Sequence, residues 1–124
     1  MIKGIGTDII EIQRIKDAVK KNERFLRRVF TPGEISYCES KSNPYPSLAA
    51  RFAAKEGASK ALGTGIGQIS WTEIEVTINQ AGKPNIILHG KALELAEDLG
   101  IKDIHVTLSH SKEYGVAMVI MEGD

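Results

Sequence analysis

The sequence predicts a single α+β domain in which a mostly antiparallel sheet packs against a long central helix. Three observations predict it. Short β-branched runs stand at both ends of the chain and near its middle. Helical periodicity takes over from Glu11 and again from Ser47. Two strand pairs are separated only by short turns, and short turns join antiparallel neighbours. At 124 residues the chain has the size of one ordinary domain, so residues 1–124 are read as one unit. Hydrophobic residues make up 42%, enough for a core, although a domain this small leaves much surface that an oligomer would bury.

Ile2 to Ile10, interrupted by Gly4 and Gly6, reads as a strand ending near Asp8. Ile12, Ile15, Val19 and Leu26 then form one helical stripe, with a break expected near Asn22. Thr31-Pro32-Gly33-Glu34 is a helix start: Thr31 caps, Pro32 suits the first turn and Glu34 closes a capping box. Lys41 to Pro46 reads as a loop. Ser47 to Leu62, rich in alanine, is the central helix, with Gly63 as its stop. Gly63 to Gly67 is a flexible connection; it lacks the Gly-Lys-Ser/Thr ending of a phosphate-binding P-loop. Thr72 to Asn79 alternates as a strand, Ala81-Gly82-Lys83-Pro84 turns, and Asn85 to His89 pairs back. Lys91 to Leu99 is a short helix stopped by Gly100. Ile104 to Ser109 and Tyr114 to Met121 are the last two strands.

Lys+Arg and Asp+Glu each number 16, so the net charge is zero and a globally basic nucleic-acid binder is not indicated. No apolar run approaches the ~20 residues of a membrane helix. The single cysteine, Cys38, excludes an internal disulfide and a Cys-rich metal motif. With no apolar signal segment at the start, the expectation is a soluble cytoplasmic protein.

Two carboxylates draw attention. Asp8 stands where the first strand gives way to a helix, a position that serves either a ligand or a helix cap. Glu56 lies mid-helix among small alanines, with Lys60 one turn on; a plain solvated Glu–Lys pair is the competing reading. Two carboxylates from separate elements suit magnesium, which takes hard oxygen ligands and keeps waters and phosphates in its shell. His105 and His110 are five residues apart on one strand, face opposite ways and cannot share a metal. His89 reads as structural.

Between Gln13 and Arg28 seven basic residues stand against two acidic ones, a local excess of five. Arg14, Lys21, Arg24 and Arg28 follow helical steps and form a basic stripe. Such a stripe is either solvated or placed opposite an acidic partner, with Phe25 beside it as an anchor.

Gly4-Ile5-Gly6-Thr7-Asp8-Ile9-Ile10-Glu11 and Arg51-Phe52-Ala53-Ala54-Lys55-Glu56 resemble the first two signatures of the small phosphopantetheinyl transferases. Gly82-Lys83-Pro84 and Leu108-Ser109-His110 resemble the later ones, in the same order and across nearly the whole chain. The resemblance implies transfer of phosphopantetheine from coenzyme A to a serine of an acyl carrier protein, within fatty acid synthesis. It implies magnesium on Asp8 and Glu56, and coenzyme A phosphate on Lys60. It places the rest of coenzyme A near Gly82, Lys83, Pro84, Ser109 and His110, and the acidic carrier on the stripe from Arg14 to Arg28. It also implies a homotrimer with active sites between subunits. Gly57 departs from the alanine expected after Glu56, and glycine there is expected to loosen the helix by roughly 1 kcal/mol. From the residues alone, a non-catalytic adaptor with a basic docking helix and a magnesium-dependent phosphohydrolase remain open.

Overall fold

β1 (Ile2–Glu11) opens the chain and runs three residues beyond Asp8. α1 (Ile12–Lys21) follows directly and buries Ile12 and Ile15. The backbone is extended at Asn22, whose side chain accepts from the Arg24 N–H and starts α2 (Glu23–Val29) afresh. α3 (Pro32–Glu39) carries the expected capping box: the Thr31 hydroxyl accepts from the Glu34 N–H, and the Glu34 carboxylate accepts from the Thr31 N–H.

The central helix, α4 (Tyr45–Leu62), begins two residues earlier than expected. Pro46 lies in its first turn, where a missing N–H breaks no helical bond. Gly63 ends it in the left-handed conformation, φ 79°. Residues Trp71–Glu73 form a 3-10 turn, so the strand expected from Thr72 begins only at Ile74, because Glu73 folds back to accept from the Ser70 N–H. The strands β2 (Ile74–Ile78) and β3 (Pro84–Leu88) then pair antiparallel. α5 (Gly90–Asp98), β4 (Ile101–His110) and β5 (Tyr114–Gly123) complete the chain. This computed structural model describes all 124 residues.

The strands make two sheets. β1, β5 and β4 form an antiparallel sheet in that spatial order, while β2 and β3 form a separate hairpin. Within the larger sheet, Gly6 lies opposite Val119, Asp8 opposite Ala117 and Ile10 opposite Gly115. Side chains alternate between faces, so Gly4, Gly6 and Asp8 share the face that looks at α4.

That face explains the glycines. A Cβ on Gly4 would sit 1.9 Å from the Ala61 carbonyl oxygen, and one on Gly6 would sit 1.9 Å from that of Gly57. Strand and helix therefore run backbone against backbone. Two strand residues advance about 6.6 Å and four helical residues about 6 Å, so the two elements stay in step. The helix supplies Ala61, Gly57, Ala53 and Ala49 at four-residue steps, all small and buried. Gly57 is thus a packing residue, and α4 runs through it without interruption.

The other side of α4 is held by charge. Lys55 and Glu34 are both fully buried and 2.8 Å apart. The Lys55 ammonium also donates to the carbonyls of Trp71 (3.0 Å) and Ile74. Glu34 accepts from the Thr31 and Val76 N–H groups. Every polar atom of the pair is matched, which a buried ion pair requires. Burial lowers the Lys55 pKa, and Glu34 opposes that fall.

The outer face of the larger sheet is apolar and bare: Ile5, Ile9 and Met118 are 58%, 61% and 41% exposed. No helix is long and apolar enough to cross a membrane.

We expect Gly6→Ala to destabilise the fold by about 3 kcal/mol or to prevent folding, because overpacking against backbone has no side chain to yield. Gly57→Ala, whose nearest new contact is the Gly6 carbonyl at 3.3 Å, should change stability by less than about 1 kcal/mol as helix propensity offsets crowding. Urea unfolding of both variants checks this.

Candidate active site

Asp8 leaves β1 on the helix-facing side, two residues beyond the Gly6–Gly57 contact. Because β1 continues to Glu11, Asp8 does not cap α1, whose first turn has no side-chain cap. Lys60 reaches across from α4. Its ammonium donates to the Thr7 carbonyl at 3.0 Å and lies 3.5 Å from Asp8 Oδ1. The solvated Glu56–Lys60 pair is not what forms; Lys60 turns to the strand instead. Glu56 is partly buried beside them, and its pKa is raised, first by loss of solvent and then by the negative charge of Asp8, with Lys60 opposing.

Asp8, Glu56 and Lys60 are therefore brought together at the β1 edge of α4. Two carboxylates share one place with a single lysine, and no third acidic, histidine or cysteine ligand completes a cage. That donor set fits magnesium, which is typically held by one or two carboxylates plus waters and phosphates.

The later motifs meet elsewhere. Gly82, Pro84, Ser109 and His110 line one groove of about 210 Å³. Lys83 is not in it; its side chain lies in a separate recess beside Asn79 and Asn85. The groove also holds Arg51 and Tyr37, which sequence reasoning did not single out. Arg51 is 3% exposed and its guanidinium lies 4.5 Å over the Tyr37 ring. It forms no ion pair, and its Nε has no hydrogen-bond partner. Nη1 donates to the Ser47 carbonyl at 3.3 Å, which leaves a buried guanidinium with no ion-pair partner and an unused Nε–H, a group suited to an anionic ligand. Asp8, Glu56 and Lys60 do not line this groove. β1 and β4 are opposite edges of the sheet, so the two clusters lie at different edges of it.

Chain residues 4–119 match the model of the 4'-phosphopantetheinyl transferase superfamily. The chain belongs to that superfamily. A holo-[acyl-carrier-protein] synthase of Moorella thermoacetica is 50% identical over 117 residues, covering 94% of this chain and 91% of its own length. One from Koribacter versatilis is 47% identical over 124 residues, covering 98% and 99%. Among solved structures, the Neisseria meningitidis synthase superposes with TM-score 0.89 at 38% identity, covering 98% of this chain and 99% of that one. The Bacillus anthracis synthase, in complex with coenzyme A (3',5'-ADP), gives 0.83 at 38% identity, covering 100% and 99%. The phosphopantetheinyl transferase architecture expected from the motifs is the one observed.

The basic residues of this transferase are less regular than the spacing predicted. Arg14, Lys21, Arg24 and Arg28 are all exposed. The extended backbone at Asn22 cuts the stripe into two banks, one on α1 and one on α2. Phe25 is half-buried, with its ring edge-on to Phe30 at 6.4 Å and stacked on Phe52 at 6.5 Å, so it props α2 against α4. Glu34 was read only as a capping residue and Lys55 only as part of a motif; their pairing was not expected. The signal existed for Lys55: it lies seven residues from both Leu48 and Leu62, on a buried stripe.

A carboxyl titration of the free protein by NMR tests the electrostatics. The Glu56 midpoint should lie above the ordinary carboxylate range. Asp8→Asn should lower it by removing a negative neighbour, and Lys60→Met should raise it. The sign carries over to stability. A raised folded-state pKa means that ionising Glu56 disfavours the fold. Stability should thus fall as pH rises through that midpoint, and Glu56→Gln should abolish the fall.

Proposed function

We propose that the chain transfers 4'-phosphopantetheine from coenzyme A to a serine of an apo-acyl carrier protein, leaving adenosine 3',5'-bisphosphate, in the supply of carriers for fatty acid synthesis. The observation that carries this reading is the meeting of Asp8, Glu56 and Lys60, on separate elements, at one partly buried place. Its support is the superfamily membership and the coenzyme A complex of a full-length structural relative.

Asp8 and Glu56 would hold magnesium by their carboxylate oxygens. When bound, the ion neutralises the pyrophosphate and stabilises charge on the leaving oxygen. Lys60, anchored on the Thr7 carbonyl, adds a fixed positive charge for a phosphate oxygen. Glu56, with its raised carboxyl pKa, would accept the serine proton directly or through one water. Arg51, Ser109 and His110 would take the nucleotide end of coenzyme A in the groove, Arg51 facing a phosphate. Such transfers rest mainly on positioning and electrostatics.

The separation of the two half-sites supports an assembly in which the groove of one copy faces the carboxylates of the next. The bare apolar sheet face supplies a surface for that contact, and a homotrimer is the closed form we propose. The exposed arginines of α1 and α2 would dock the acidic carrier.

Mass spectrometry of a carrier incubated with coenzyme A and magnesium should show one added phosphopantetheine. Asp8→Ala and Glu56→Ala should each abolish it in a folded protein; normal turnover by either would refute the metal assignment. Mixing separately inactive Asp8→Ala and His110→Ala chains should restore part of the activity if neighbouring copies share sites. Arg14→Ala or Arg24→Ala should raise the KM for the carrier, with an effect that shrinks as salt rises, because exposed charges are screened. A salt-independent defect would argue against docking by charge.

A further inference from the structure

We propose that the buried Lys55–Glu34 pair positions Glu56, setting the rotation of α4 so that this carboxylate meets Asp8. The inference rests on the metal-site reading above and asks what holds that site in register.

The contact between β1 and α4 is made by glycines and alanines. A face without protruding side chains brings backbones close but offers little resistance to rolling, since no knob enters a hole. Something else must fix the helix about its axis. Lys55, Glu56 and Gly57 are consecutive, so they point in directions about 100° apart. Gly57 faces Gly6. Lys55, about 200° round from Gly57, is tied to three acceptors on three elements: Glu34 of α3, the Trp71 carbonyl of the 3-10 turn, and the Ile74 carbonyl at the start of β2. Glu34 is in turn held by the Thr31 and Val76 N–H groups. Glu56 projects between these two anchored sides. Lys55 and Glu34 touch no reacting group and act through Glu56, as positioning residues.

The test is a Lys55→Met/Glu34→Gln double variant. It removes both charges together, so no ion is left buried alone, and the new side-chain amide keeps a carbonyl acceptor for the capping bond. Binding of manganese is measured by electron paramagnetic resonance with coenzyme A present and no carrier, so that nothing turns over. We expect affinity to weaken about 10-fold, as for other groups that orient a metal ligand. With carrier and magnesium, kcat should fall while the KM for the carrier stays unchanged. Leu88→Ala, a core truncation in β3, serves as the control for general loosening and should keep normal manganese affinity. Wild-type affinity and kcat in the folded double variant would overturn the proposal, as would equal weakening by Leu88→Ala. If the double variant does not fold, Lys55→Gln/Glu34→Gln, which also leaves no buried charge and keeps a side-chain donor for the two carbonyls, should shift affinity and kcat in the same direction; wild-type values there also overturn it. An Asp8→Ala protein measured alongside separates the two levels. Unchanged manganese affinity in Asp8→Ala would sink the metal reading itself and the positioning role with it. Loss of affinity in Asp8→Ala with none in the double variant would sink the positioning role alone.

Discussion

Backbone contact between β1 and α4 is the constraint on which the rest of this molecule depends. Gly4 and Gly6 lie so close to the carbonyls of Ala61 and Gly57 that no Cβ fits between them. That closeness brings a carboxylate from a strand and one from a helix near enough for the charge of Asp8 to act on Glu56. Had β1 carried ordinary side chains facing the helix, the two elements would stand about 10 Å apart, the usual spacing of packed layers. A short Asp8 side chain could not then span the gap. The small residues of α4 at positions 49, 53, 57 and 61 are the other half of the same device. Gly57 belongs to that series rather than departing from it.

Proximity alone creates an electrostatic problem, and the structure meets it asymmetrically. Two acidic groups in partial burial repel, which pushes the Glu56 carboxyl up. Lys60 relieves only part of this and spends its reach on Asp8 and the Thr7 carbonyl. The site is left favourable for a further cation. In the groove beside β4, Arg51 of α4 presents the complementary case, a buried cation with no ion-pair partner. The buried Lys55–Glu34 pair differs from both: it is fully matched and has no unused bonding capacity for a ligand. The two candidate sites are those whose charges the fold itself leaves unbalanced.

Local chemistry was legible in the sequence wherever it is decided within a few residues. The Thr31–Glu34 capping box and the left-handed stop at Gly63 formed as read, because each depends on neighbours three or four positions away. The β2–β3 and β4–β5 pairs formed as read because short turns leave an antiparallel neighbour as the nearest partner. The start of α4 was misplaced because Lys41 to Pro46 was read as a loop, although the first turn of a helix tolerates proline. The beginning of β2 was misplaced because a Glu73 side chain captured the Ser70 N–H and made a 3-10 turn. The basic stripe was drawn as continuous, yet one extended residue, Asn22, shifts the helical phase of everything after it.

By itself the sequence determined the class of fold, the order of the elements and the residue types able to hold a divalent ion and a phosphate. Periodicity and capping are local, and motif spacing survives without coordinates. Only the tertiary structure decided which partners these residues take: that Lys60 turns to Asp8, that Lys55 is buried against Glu34, and that Arg51 joins Ser109 and His110 in one groove. The physical reason is that burial and charge pairing are properties of surfaces brought together from distant positions. Glu34 and Lys55 lie in different helices, Asp8 and Lys60 in a strand and a helix far apart along the chain, and no pattern in the sequence encodes the distance between them.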